Sequence, residues 1–152
     1  MSRDLFIGLG DEIINEFLKE RLIKSSEHLQ MFTITAEQNQ IELNVKGNYK
    51  SLKGKARYKL SIAEFSRNLE NPRTVVFSVE SVGVFSKMAL ASIKMFQKKL
   101  EPSVVIDKNI LTVNLCSIIQ RWKPEFQYLV EDYSLNNFEI KPGLIIADFE
   151  KK

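Results

Sequence analysis

Cysteine and histidine are almost absent: one of each occurs in 152 residues. A lone cysteine excludes an internal disulfide, and one Cys with one His gives no basis for a Cys/His zinc site. Six glycines and four prolines, beside ten phenylalanines, argue against disordered, collagen-like and low-complexity classes. No apolar run approaches the roughly 18–20 residues that a spanning helix needs. The start, Met1-Ser2-Arg3-Asp4-Leu5-Phe6-Ile7-Gly8-Leu9-Gly10-Asp11-Glu12, is interrupted by acids where a signal peptide needs a sustained apolar stretch. Cytoplasmic placement is therefore the expectation.

Catalytic signatures are also missing. His28, the only imidazole, lies in the polar stretch Ser25-Ser26-Glu27-His28 and suits an ordinary surface position. There is no Gly-x-Ser-x-Gly elbow and no P-loop. Gly8-Leu9-Gly10 lacks the third glycine of a dinucleotide fingerprint. Glu131-Asp132 is an adjacent pair of acids, but neighbours on a strand point to opposite faces. With Asp107 and Asp148 near strands they read as turn and surface acids, and no clustered Asp has the spacing of a metal site. No catalytic residue, metal or cofactor is expected, and the reading is of a non-enzyme.

What is present is a globular pattern. Hydrophobic residues make up 44% and charged residues 27%, which places the chain among soluble domains. Its length fits one domain over 1–152 with a core of its own. Ile13, Ile14, Phe17, Leu18 and Leu22 recur at helical steps and predict a helix over about 11–24, with Asp11 as N-cap. From Phe32 onward the period changes to two. Phe32, Ile34 and Ala36, then Ile41, Leu43 and Val45, then Ala56, Tyr58, Leu60 and Ile62, then Val75, Phe77 and Val79 alternate with polar residues. These four runs predict consecutive antiparallel strands with one buried face. Gly47-Asn48 and Lys53-Gly54 are read as the connection between two of them, and 68–73 as a turn.

Residues 84–100 return to helical spacing, with a broad apolar face and Pro102 as terminator. At 1.5 Å per residue this helix would be about 25 Å long. A hairpin about Asp107-Lys108-Asn109, a short helix over 117–122, another from Pro124 to Val130 and a last hairpin through Lys141-Pro142-Gly143 complete the order.

Two features carry functional weight. Charge is segregated: Lys46, Lys50, Lys53, Lys55, Arg57 and Lys59 follow one another with no acid between, whereas the first helix carries Asp11, Glu12, Glu16 and Glu20. An anionic partner explains this, and so does a solvated sheet face balanced by a nearby acidic helix. The helix over 84–100 carries two Met, two Phe and only basic charges. It fits an apolar groove or a membrane surface, and equally a core helix packed on the sheet. Nucleic acid ranks second for the basic stretch. Tyr58 shares parity with Ala56 and Leu60, leaving Lys55, Arg57 and Lys59 without a stacking aromatic.

The order of elements, with the segments Ile41-Glu42-Leu43-Asn44-Val45-Lys46-Gly47, Ile110-Leu111-Thr112-Val113-Asn114-Leu115 and Phe138-Glu139-Ile140-Lys141-Pro142-Gly143-Leu144-Ile145-Ile146, resembles the tubular lipid-binding (TULIP-like) superfamily, in particular its small bacterial phospholipid-binding members. The resemblance covers most of residues 30–150. It implies a strongly curved antiparallel sheet along a long helix, with lipid tails between them. Phe85, Met88, Leu90, Ile93 and Phe96 would then line the ligand, and Leu43, Tyr58, Leu60 and Phe77 the opposite wall. Unlike that group, residues 1–12 do not read as an export signal and carry no lipoprotein cysteine, so a role in the cell envelope is not the expectation.

The expected fold is α+β: an N-terminal helix, then a curved antiparallel sheet of about six to eight strands wrapped around a long amphipathic helix. The expected function is binding of a lipid or other hydrophobic small molecule in a groove between helix 84–100 and the sheet. Tail burial would supply roughly 0.8 kcal/mol per CH₂. Lys46, Lys50, Lys53, Lys55, Arg57 and Lys59 would contact an anionic membrane surface. The alternatives are a polyanion- or nucleic-acid-binding module using the basic stretch, and an interaction subunit that buries the apolar helix against a partner chain, including a homo-oligomer.

Overall fold

The computed structural model describes residues 5–24, 26–50, 52–65, 74–96, 103–125 and 132–151. Among them are nine strands and three helices. In chain order these are β1 (Leu5–Gly10), α1 (Asp11–Leu18), β2 (Leu29–Glu37), β3 (Gln40–Tyr49), β4 (Leu52–Phe65), β5 (Thr74–Ser81), α2 (Gly83–Phe96), β6 (Val104–Asp107), β7 (Ile110–Asn114), α3 (Leu115–Trp122), β8 (Tyr133–Lys141) and β9 (Leu144–Lys151). The fold is α+β and every strand pairing is antiparallel.

The strands form two sheets, six-stranded β2-β3-β4-β5-β7-β6 and three-stranded β1-β9-β8. The apolar alternation of β3, β4 and β5 faces one side, where Leu43, Val45, Ala56, Tyr58, Leu60, Val75 and Phe77 are buried. Leu135, Phe138, Ile140 and Phe149 of the smaller sheet meet them. The rings of Phe77 and Phe138 lie 6.1 Å apart, edge to face at 75°.

This arrangement differs from the expected single sheet. β1 was not anticipated: Leu5–Gly10 pairs with β9 from Leu5↔Phe149 to Gly10↔Leu144, a contact between the two ends of the chain that local periodicity does not report. Asp11 is not the N-cap. Gly10 holds that position, and the Asp11 carboxylate instead accepts the Ala36 amide of β2 at 3.0 Å.

Gly47-Asn48 and Lys53-Gly54 are not a loop. They are opposed positions of β3 and β4, Gly47↔Gly54 and Asn48↔Lys53, and the chain reverses at Lys50 with φ +48°. Gly47 is needed where it is. A Cβ there would stand 2.8 Å from Leu52 Cδ2 and 2.9 Å from the His28 carbonyl oxygen.

Other expectations hold. The helix over 11–24 is present as α1 continued by a wider π-type stretch, Lys19–Ile23. The β6–β7 turn falls at Lys108-Asn109 and the β8–β9 turn at Pro142-Gly143. α3 begins at Leu115, where the Asn114 side chain accepts the Ser117 amide at 3.1 Å as a true N-cap. The turn expected at 68–73, the end of the helix at 97–102 and most of the helix from Pro124 to Val130 lie outside the described residues.

Candidate functional site

β4 has 14 residues and β5 only 8, so β5 pairs β4 from Tyr58 onward and leaves the first half of β4 with an open edge. α2 follows β5 directly and closes that edge. The Ser86 hydroxyl accepts the Arg57 amide at 2.9 Å, and the Tyr58 hydroxyl donates to the Ser86 carbonyl at 2.6 Å. Burial pushes the Tyr58 phenol well above its ordinary pKa of 10.0.

Docking through Ser86 fixes the rotation of α2, and the result inverts ordinary helix burial. Ser86, Ala89, Ser92 and Ile93 are buried. Val84, Phe85 and Met88 are 76%, 38% and 62% exposed. Val84 and Met88 are one helical turn apart, so their side chains share a stripe, with the exposed Ala91 continuing it and Lys87 beside it. Among the described residues, the other exposed large apolar side chains, Phe6, Ile13, Val105 and Ile110, are spread over β1, α1, β6 and β7.

The basic stretch occupies the outer face of the β3–β4 hairpin. Registers Asn44↔Arg57, Lys46↔Lys55 and Asn48↔Lys53 put Lys46, Lys53, Lys55 and Arg57 on one side. Lys46 and Lys55 are directly opposed and both exposed, an arrangement in which like charges repel. Lys59 lies on the same face between Glu42 and Glu80, and Lys50 sits at the hairpin reversal. Arg57 pairs with Glu42 at 3.1 Å. Partial burial raises the Glu42 pKa, but the hydrogen bond from Asn44 and the Arg57 guanidinium outweigh it, and the net shift is downward.

The residues expected to line a ligand divide into two groups. Leu43, Tyr58, Leu60, Phe77 and Ile93 are buried, and all five belong to the continuous core. Phe85 and Met88 are exposed on α2, and Leu90 is half-buried against the core. Phe96 is the last described position of α2, and its side chain lies outside the described part. Phe85 stands over the β3–β4 hairpin, its ring 3.8 Å from where a Gly54 Cβ would be. Val84 was missed as a site residue. The available signal was its spacing from Met88, read together with the serines at 86 and 92 on the opposite face.

The described residues contain no group of three or more His, Cys, Asp or Glu placed to hold a metal ion. No helix among them is long and apolar enough to cross a membrane. Comparison with protein-family models, curated proteins and solved structures finds no match to this chain.

Proposed function

We propose that the chain is a non-enzymatic module that binds lipid at a surface, seating the exposed stripe of α2 on an anionic membrane. The single observation that carries this reading is the inverted burial of α2, which hides two serines and presents Val84, Phe85 and Met88 to solvent. A helix whose exposed face combines large apolar side chains with lysine is suited to the boundary between headgroups and acyl chains. Each apolar side chain would contribute up to about 1.5–3 kcal/mol on full burial. Each lysine close to the surface, Lys87 and those of the β3–β4 hairpin, would add about 1 kcal/mol against anionic headgroups.

The resemblance to tubular lipid-binding proteins leads to a stronger version, in which the sheet wraps α2 around a lipid. Leu43, Tyr58, Leu60 and Phe77 would then have to leave their present packing. Engagement at the solvent face of α2 needs no such rearrangement, and it is the form the geometry favours.

Flotation with vesicles tests the reading. Association with phosphatidylcholine–phosphatidylglycerol vesicles, weak on phosphatidylcholine alone and reduced by salt, is the expected result. A protein that stays unbound on both compositions contradicts it. A stable oligomer in the same preparation would then favour a partner chain on α2.

A further inference from the structure

Along the outer edge of β2, α1 supplies side chains where a neighbouring strand would supply backbone. The Asp11 carboxylate accepts the Ala36 amide at 3.0 Å, and the Gly143 amide donates to the Ala36 carbonyl at 2.9 Å. One helical turn on, the Asn15 amide bonds both backbone groups of Ile34, at 2.9 and 2.7 Å. Four helical residues advance about 6 Å, close to the two-residue step of a strand, so the helix keeps register with the edge. The next rung pairs position 19 with Phe32.

That rung is broken. Position 19 is a lysine, a donor only, and the helix widens to π-type geometry there. By parity with Ile34 and Ala36, the Phe32 N–H and C=O point outward, and neither is bonded by a described residue. A register shift between Leu29 and Met31 marks the same stretch as a bulge. A groove of about 370 Å³ opens there, between Glu12, Glu16, Lys19 and Ile23 on the helix side and Met31 and Phe32 on the strand.

We propose that this groove accepts an extended peptide segment of a partner protein, added antiparallel to β2 opposite Phe32 and carrying basic side chains toward Glu12 and Glu16. A peptide residue opposite Phe32 exchanges both N–H···O bonds with it, as a hydrogen-bonded antiparallel pair does. The occupant is a peptide because the open groups are one amide and one carbonyl at strand spacing. Its charge follows from the balance of the wall, where two exposed carboxylates outnumber the one exposed ammonium of Lys19 and neither carboxylate has an ion-pair partner among the described residues.

The test uses the whole chain and a fluorescein-labelled hexapeptide of alternating Lys and Val, read by anisotropy and by amide hydrogen exchange. Saturable binding that slows exchange of the Phe32 amide is expected, with a Glu/Val hexapeptide roughly tenfold weaker. Lys19→Asn places an amide at the broken rung. It should raise Tm and weaken peptide binding roughly tenfold or more, although the lost positive charge alone would strengthen it. Anionic-vesicle association should be unchanged in this variant, which separates this site from the α2 stripe. No protection of Phe32 at millimolar peptide, or undiminished binding to a folded Lys19→Asn protein, overturns the proposal.

Discussion

The side-chain amide of Asn15 reads Ile34 as a β-strand would: Nδ2 donates to its carbonyl at 2.9 Å and Oδ1 accepts its amide at 2.7 Å. One side chain thereby terminates a sheet edge that would otherwise invite pairing with another chain. Replacing it by alanine leaves a part-buried donor and acceptor unpaired. Asn15→Ala should cost about 2 kcal/mol, seen as a Tm fall of roughly 4–8 °C. Asn15→Asp keeps the acceptor and sets a carboxylate against the Ile34 carbonyl, so it should recover little of that loss.

Tyr58→Phe removes the 2.6 Å bond to the Ser86 carbonyl without opening a cavity. A loss of about 1–2 kcal/mol in chemical denaturation is expected. The wild type also has a specific alkaline limb. The folded pKa of Tyr58 is raised above the unfolded value of 10.0, so its contribution is fully present below pH 10 and declines as pH climbs beyond it. In Tyr58→Phe, stability should fall less steeply above pH 10.

Gly47→Ala should destabilise although glycine is a poor strand residue. The added methyl meets the Leu52 side chain and, at 2.9 Å, the His28 carbonyl, which already accepts the Asn48 amide. Backbone cannot yield as a side-chain tip can, and a cost of about 1–3 kcal/mol in urea unfolding is expected. A stabilised Gly47→Ala protein would contradict the close approach of Leu52 and the His28 carbonyl to this position.

Much of the six-stranded sheet can be read from the sequence, because its information is local. The two-residue period of Ile41, Leu43, Val45 and of Ala56, Tyr58, Leu60 reports both strand and buried face. β1 could not be read that way, since its partner is at the other end of the chain and Gly8 and Gly10 dilute its pattern. The rotation of α2 was hidden for a different reason. Hydropathy ranks Met88 and Phe85 as inward and Ser86 as outward, but Ser86 is bound to the backbone of β4, and that bond sets which face of the helix is seated. The candidate site was therefore legible as a segment and a charge pattern, and its exposed residues only after the helix was docked.

Lys55→Glu separates stability from function. It turns the repulsive Lys46–Lys55 cross-strand pair into an attractive one, so stability should rise by roughly 0.5 kcal/mol. The same change removes positive charge from the proposed membrane-facing hairpin and should weaken association with anionic vesicles. A variant both more stable and undiminished in vesicle binding would show that the lysines are solvated surface only.

The most direct measurement is flotation of wild type and the double variant Val84→Glu/Met88→Glu with phosphatidylcholine–phosphatidylglycerol vesicles, with circular dichroism as the check on folding. Both positions are exposed, so the variant should fold like wild type. The account predicts a folded protein that no longer floats. A folded double variant that floats as wild type does would contradict the assignment of the α2 stripe to lipid.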